Sequence, residues 1–366
     1  MASDKIRLGV IGANIHRGWA PRSHLPAAGA SPEFELTAVA TTRQETAEES
    51  AKKFGARMAF GSYQELLACP EVDAVAVVLR VPSHYQVTKD AINAGKHVYT
   101  EWPLGATLDE AQELASLAKA KGVQTAVGLQ ARLAPSIMHM KGLVESGYIG
   151  DVMSCQVTLI RGGILERGSD RTWMKDDALG ATTLTIAFGH TVDALRFVVG
   201  EFSSLSAVVS TQAKQWRETD TKKLVDVTAP DHILVSGKLA SGAVASVHVA
   251  AVPWMGSGYR MEVYGSKGTL VATSEDSPQL KEVRLQGAQA GERRLKDLPA
   301  PDRHVYVLEG MPKGEPYNVG QMYYKFAQAI RSGKSDLPDF DLAVNLHQFL
   351  DGVRQSSDQG REVTFG

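Results

Sequence analysis

Directly after the apolar run Ile6 to Ile11 the chain reads Gly12-Ala13-Asn14-Ile15-His16-Arg17-Gly18. A dinucleotide site needs a glycine for a tight turn, a small residue where the backbone approaches the pyrophosphate, and free amides at a helix start to hold the anion. Gly12 meets the first requirement. The regular Gly-x-Gly-x-x-Gly spacing is broken, since Asn14 stands at the second glycine and Gly18 comes one position late. Asparagine tolerates a left-handed backbone, so the turn stays open to it. Gly12, Asn14 and Ile15 are the candidate contacts. The second apolar run, Leu36 to Ala40, ends in Thr41-Thr42-Arg43, with no carboxylate before Glu45. A site for an unphosphorylated ribose usually places Asp or Glu here, whereas two hydroxyls and a guanidinium suit a 2′-phosphate. The expectation is NADP(H) in preference to NAD(H), against the alternative that Thr42 and Arg43 only open a solvated helix. Farther along, His190 stands three residues before Asp193. An imidazole can take the proton of a hydroxyl or return it to a carbonyl. Asp193, at i+3, could orient it or cap a neighbouring element. His-x-x-Asp offers no identifiable third ligand, so no metal site is expected.

These groups need strand ends and helix starts to hold them. Ile6 to Ile11, Leu36 to Ala40, Ala74 to Leu79, His97 to Thr100 and Val123 to Val127 are short runs rich in Val, Ala and Leu, which suits strands covered on both faces. Helical patterns alternate with them: Glu45 to Phe54 before Gly55, His84 to Asn93 before Ala94-Gly95, and Thr107 to Lys121 before Gly122. Thr107 and Glu110 have capping-box spacing. Such alternation implies right-handed βαβ units and a parallel, doubly wound sheet, an α/β Rossmann domain over residues 1–129. Ligands of these sheets sit at the carboxyl edge, which marks Leu79, Val81, His84, Glu101, Trp102 and Gln130 as further candidate cofactor contacts. His84 is equally compatible with ordinary helix capping.

Residues 130–366 read differently. A helix, Pro135 to Glu145, precedes runs of period-two alternation: Val152 to Ile160, Leu205 to Thr211, Ile233 to Leu239, Ala243 to Ala250, Arg260 to Tyr264 and Thr269 to Ala272. One wet and one buried face means a large open, mainly antiparallel sheet in a second α/β domain. Two late helices, Val319 to Ser332 and Leu342 to Gln359, are expected to cover a sheet face or return to the first domain. Tyr323, Tyr324 and Phe326 have helical spacing and read as core. Gly287 to Pro312, rich in charge, Gly and Pro, reads as a surface loop.

Composition narrows the partners. The 366 residues carry 39 Lys+Arg against 41 Asp+Glu, a formal charge of -2, so no bulk attraction draws the chain to nucleic acid or an anionic membrane. No apolar run reaches a membrane-spanning length of about 18 residues. Met1 to Arg7 is short and polar, without a leader-like apolar core. Cys69 and Cys155 have no metal-type spacing and read as reduced thiols. The expected setting is the cytoplasm.

The order of these motifs, with His24 after the first turn, Val81-Pro82-Ser83-His84, Glu101-Trp102-Pro103, Gln130-Ala131-Arg132, Gly147-Tyr148-Ile149-Gly150 and Gly189-His190-Thr191-Val192-Asp193, resembles the family of glucose-fructose oxidoreductase, inositol dehydrogenase and MocA proteins over nearly the whole chain. The resemblance implies an N-terminal Rossmann domain, a C-terminal sheet that often forms the oligomer interface, hence a homodimer or homotetramer, and nicotinamide chemistry on a sugar, polyol or related small polar substrate. It also implies that His190 is an acid/base and that the segment Arg171 to Asp177 lines the substrate cleft, where Lys175 could supply an ammonium. Two departures stand out. The family's lysine after the fifth strand is Trp102, and its aspartate and glycine upstream of the histidine are Ile186 and Phe188. An indole donates one hydrogen bond and stacks but moves no proton. Both departures resemble the branch that contains the fungal galactose-pathway repressor. The expected function is an NADP(H)-dependent oxidoreductase, with two alternatives: a non-catalytic NADP(H)-sensing regulator, or a redox-cycling lyase or hydrolase with bound cofactor.

Overall fold

Short, fully apolar strands can persist only where both faces are covered, and the first sheet is built this way. The computed structural model describes residues 5–365; Met1 to Asp4 of the polar lead-in and Gly366 lie outside the described residues. Strands β1 (Ile6–Ile11), β2 (Phe34–Ala40), β3 (Met58–Phe60), β4 (Ala74–Val77), β5 (His97–Thr100) and β6 (Thr125–Val127) form one parallel sheet in the order β3-β2-β1-β4-β5-β6. Leu8, Val10 and every residue of β4 are buried. This is the doubly wound order, whose switch point lies between β1 and β4.

Helices α1 (His24–Ala30), α2 (Gln44–Phe54), α3 (Tyr63–Ala68), α4 (His84–Asn93) and α5 (Leu108–Lys121) flank the strands. Gly55 and Gly122 end α2 and α5 in the left-handed conformation that a Cβ would strain. The Thr107 hydroxyl accepts from Glu110 N at 3.2 Å, while the Glu110 carboxylate takes Ala106 N at 2.7 Å. Some boundaries differ from the sequence reading, β2 beginning at Phe34 rather than Leu36 among them. β4 stops at Val77, because Val78 and Leu79 leave the ladder, and β6 begins at Thr125 rather than Val123. β3, three half-buried residues, is too short to show a period.

The chain divides into two units, residues 1–130 with 305–345 and residues 131–304 with 346–366. The helix Glu315–Ser332 therefore returns to the parallel sheet, and buries Tyr323 and Phe326 against Phe34 and Tyr99. Return to the first domain is one of the two placements expected for the late helices, and it extends the first unit beyond residues 1–129.

In the second unit a nine-stranded sheet includes Val152–Arg161, Phe202–Ser210, His232–Leu239, Val244–Ala251, Gly258–Gly265 and Gly268–Ser274. Its pairs are antiparallel except Val152–Arg161 with Val244–Ala251. Alternation holds in the central strands, where Val157, Leu159, Val247 and Val249 are buried and Gln156, Ser206, Ser236 and Ser246 are exposed, but not in Gly258–Gly265 and Gly268–Ser274, which bury Met261 to Val263 and Leu270 to Ala272 in unbroken runs. The expected loop Gly287 to Pro312 is corrected at its start, since Arg284–Gln289 is a strand of this sheet paired with Gly268–Ser274. A glycine within that strand, Gly287, was a misleading loop signal. A separate small sheet joins Glu166–Arg167, Gln215–Glu218 and Leu224–Asp226.

Candidate functional site

At the switch point Gly12 has φ +91°, and a Cβ there would stand 2.2 Å from the Val78 carbonyl oxygen. No side chain fits, which leaves the backbone of this turn open to close approach. Gly12 N and Ala13 N donate to Ala40 O at 3.0 and 3.2 Å, fastening the turn to β2. Asn14 accepts His16 N at 2.9 Å in an Asx turn. Among the described residues only Lys222 combines a side chain with positive φ, so Asn14 serves through its side-chain oxygen and not through a left-handed backbone. The expectation of a helix start at this turn is also corrected. Ile15 to Gly18 run as half-buried to exposed loop, and α1 begins only at His24 and has seven residues. Loop amides, not helix-end amides, are what the turn offers an anion.

The end of β2 splits the three polar candidates. Thr41 is buried, with its hydroxyl 2.6 Å from that of Thr46 and 2.8 Å from Arg43 O, so it braces the turn into α2 and is spent there. Thr42 and Arg43 are exposed, and Arg43 makes no ion pair among the described residues. Arg17 is likewise exposed and unpaired, in a loop tied to α2 by His16 and Glu49 at 2.9 Å.

Leu79 packs beside Gly12, its Cδ2 2.9 Å from where a Cβ would be. Val81 is buried in the short turn before α4. His84 is buried as well, with Nδ1 2.6 Å from Pro103 O and Nε2 3.0 Å from Leu79 O. Both ring nitrogens face backbone carbonyls and the neutral ring can donate to one of them, so His84 sits between the loop after β4 and the loop after β5 rather than presenting a ring nitrogen to a ligand. Burial lowers its pKa below the usual histidine range, against the pull of those carbonyls.

Glu101 follows β5 and is held from two sides. His24 Nε2 lies 2.7 Å from one carboxylate oxygen, and Gln130 Nε2 lies 2.9 and 3.1 Å from the two. Gly128 makes room: a Cβ there would stand 2.8 Å from the carboxylate. His24 Nδ1 meets the Tyr323 hydroxyl at 2.7 Å. Burial and the Glu101 charge raise Tyr323 well above the ordinary tyrosine range and keep it a phenol. The arrangement that satisfies each atom has Tyr323 donating to Nδ1 and Nε2–H donating to Glu101. Trp102, next in sequence, is 4% exposed and joined to Pro103 by a cis peptide bond. His24 and Tyr323 were not among the candidate site residues. His24 lay in a motif that carried the resemblance, whereas Tyr323, 299 positions away, reads from its spacing as core alone.

In the second unit His190 is the second residue of the helix Gly189–Val199 and is buried. The turn before it, Thr183–Phe188, is π-helical and starts with a capping box between Thr182 and Thr185. Such turns are frequent at functional sites. Asp193 does not orient His190. Its carboxylate accepts Arg132 Nε at 3.0 and 2.9 Å and Arg132 Nη2 at 2.7 Å, a bidentate pair. Lys175 ends the short helical segment Ser169–Lys175; its carbonyl accepts Thr228 N and Ala229 N, while its half-buried side chain has no hydrogen-bond partner among the described residues. The structure thus joins Glu101 to Gln130, Leu79 to Gly12 and to His84, and gives Thr41, His84 and Asp193 bracing tasks.

Comparison with known proteins fits this division. Residues 6–129 match the family described as oxidoreductase family, NAD-binding Rossmann fold, and residues 135–274 match the Gal80p C-terminal domain. The chain is 30% identical to an uncharacterized oxidoreductase of Synechocystis over 94% of this chain and 93% of that one. It is 30% identical to the galactose/lactose metabolism regulatory protein GAL80 of Saccharomyces cerevisiae over 65% of this chain, a match spanning 59% of the regulator's length. It is 26% identical, over 96% of both chains, to a levoglucosan dehydrogenase of Pseudarthrobacter phenanthrenivorans. A solved levoglucosan dehydrogenase with NADH and levoglucosan shares the fold, with a TM-score of 0.86 at 23% identity over 99% of each chain. No helix among the described residues is long and apolar enough to cross a membrane. The chain belongs to the oxidoreductase family of glucose-fructose oxidoreductase, inositol dehydrogenase and MocA proteins, in the branch shared with Gal80.

Proposed function

We propose that this protein is an NADP(H)-dependent oxidoreductase that moves a hydride to or from a sugar, polyol or related small polar molecule. The observation that carries the cofactor choice is Arg43, exposed and unpaired beside exposed Thr42 at the carboxyl end of β2, where no carboxylate stands to receive ribose hydroxyls. Gly12, Asn14 and Ile15 would hold the pyrophosphate side, Thr42 and Arg43 the 2′-phosphate, and Leu79, Val81, Glu101, Trp102 and Gln130 the remaining edge. The nicotinamide, when bound, supplies or accepts the hydride. The chain's own contribution is to hold that group at the strand ends and to manage a proton, for which His190 is the proposed acid/base and Lys175 the proposed ammonium near the substrate.

The test is a titration of the protein and of Arg43→Gln with NADP+ and NAD+. A charge-assisted hydrogen bond is worth about 1.5–3 kcal/mol, or roughly ten- to a hundredfold in affinity. The variant is expected to lose that factor for NADP+ alone. Tighter binding of NAD+ by the parent overturns the assignment.

A second reading has its own support. Trp102, Ile186 and Phe188 stand where the resemblance implies a lysine, an aspartate and a glycine, and GAL80 is among the relatives. On that reading the protein binds NADP(H) and a partner protein without turnover. A nicotinamide that stays in one oxidation state through a panel of sugars and polyols, despite tight nucleotide binding, selects it; product formed without net nucleotide consumption selects redox cycling instead. The open face of the large sheet carries exposed Val208, Leu234, Val244 and Tyr264, and we assign it to a homodimer or homotetramer. Sedimentation of Leu234→Glu, expected to be monomeric, checks this. The unpaired cysteines are compatible with a cytoplasmic setting.

A further inference from the structure

Arg167 lies in the short strand Glu166–Arg167, its guanidinium carbon 4.2 Å from the ring centre of Trp216. Trp216 is itself buried, in a cluster with Ile164, Val227 and Ala229. The Arg167 Nε is buried and has no hydrogen-bond acceptor among the described residues, and the indole N–H of Trp216 is in the same condition. The charges that act on Arg167 are both positive, from Arg171 and Arg161. Arg161 is engaged by Asp276 at 3.0 Å, and exposed Arg171 has no side-chain partner among the described residues. Glu218, opposite Arg167 in the strand register, is occupied by the hydroxyls of Thr172, at 2.9 Å, and Thr221.

A desolvated guanidinium beside two like charges is unfavourable, and ordinarily a carboxylate relieves it. Here burial and the two arginines push its pKa down to about 10. Replacing a buried charge by an apolar residue is often neutral or stabilising, so packing on Trp216 does not by itself call for a guanidinium. An incoming anion would relieve all three strains at once: the orphaned Nε–H, the like-charge repulsion and the unpartnered Arg171.

We infer that Arg167 and Arg171, backed by Trp216, form a binding site for the oxyanion group of a small organic molecule, a carboxylate or a phosphate ester. The Arg167 guanidinium, its carbon 4.2 Å from the centre of the indole ring, is a planar fork that can donate parallel hydrogen bonds to such a group, and exposed Arg171 adds a second positive charge. As a feature of the substrate the anion rests on the oxidoreductase reading. Binding itself does not, since it is measured without nucleotide and without turnover.

The experiment is calorimetric titration of the full chain with D-glucuronate, D-glucose 6-phosphate and D-glucose at two salt concentrations. At least one of the two anions is expected to bind more tightly than glucose, with affinity falling as salt rises. Which one binds tells carboxylate from phosphate. Arg171→Gln, on the surface, is expected to weaken that anion about tenfold, and Arg167→Met to abolish the preference while melting no lower than the parent in the absence of ligand. Equal binding of all three sugars, or unchanged anion affinity in Arg171→Gln, overturns the inference. So does a large loss of stability in Arg167→Met, because that would make the arginine a structural element.

Discussion

The Arg132–Asp193 pair allows a quantitative test of why the Asp of the His-x-x-Asp motif is there. Asp193 is 1% exposed and Arg132 14%, and three short contacts of 2.7 to 3.0 Å join them. Replacing one member of a buried pair leaves the other charge uncompensated in a poor solvent, at a cost of about 3–5 kcal/mol, whereas replacing both by apolar groups is often neutral. Arg132 also lies over the Phe197 ring at 5.1 Å, a contact that methionine can largely keep. Arg132→Met and Asp193→Leu are each expected to lose about 3–5 kcal/mol in urea unfolding, and the double variant much less than their sum. The coupling energy should therefore reach several kcal/mol. If the two losses simply add, within about 0.5 kcal/mol, the pair is not what holds Asp193, and the reasoning that removes it from the service of His190 fails.

Two further predictions rest on single residues. Gly12→Ala drives a Cβ into the Val78 carbonyl at a positive φ, so the variant is expected to melt below the parent and to lose nucleotide affinity, read by thermal unfolding and titration. His347 is buried, which brings its pKa down to about 4 from the usual 6.5. The unfolded chain therefore takes up a proton that the folded one refuses. The stabilisation is complete above about pH 6.5, is lost as pH falls toward about 4, and is constant below that. The loss is about 3 kcal/mol, and His347→Gln should flatten the stability profile across this window, measured by urea unfolding at each pH. An unchanged slope in that variant would place the acid sensitivity elsewhere, for example in buried His84, which is shifted in the same direction.

The parallel sheet was legible because burial on both faces leaves a local mark: Ile6 to Ile11 and His97 to Thr100 came out of short apolar runs, and the helix His84–Asn93 out of its period and the Ala94-Gly95 that closes it. Gly55 and Gly122 marked helix ends for an equally local reason, since φ is a property of one residue. The glycine turn and Arg43 were likewise visible, because both sit at a strand end whose place in the sheet follows from order along the chain. What the sequence could not settle is which polar group each candidate would meet. Period and spacing report the face a side chain occupies, not the partner on that face. Thr41 and His84 had the right address and turned out to be occupied by neighbours. Glu101 acquired His24 and Gln130, His24 acquired Tyr323, Asp193 acquired Arg132, and Arg167 came to lie on Trp216, at separations of 29 to 299 positions for the hydrogen-bonded pairs. Sequence by itself determined the scaffold and the end of it that faces a ligand. Tertiary structure decided which buried charges are paired and which have no partner among the described residues, because the cost of a buried polar group depends on every atom packed around it.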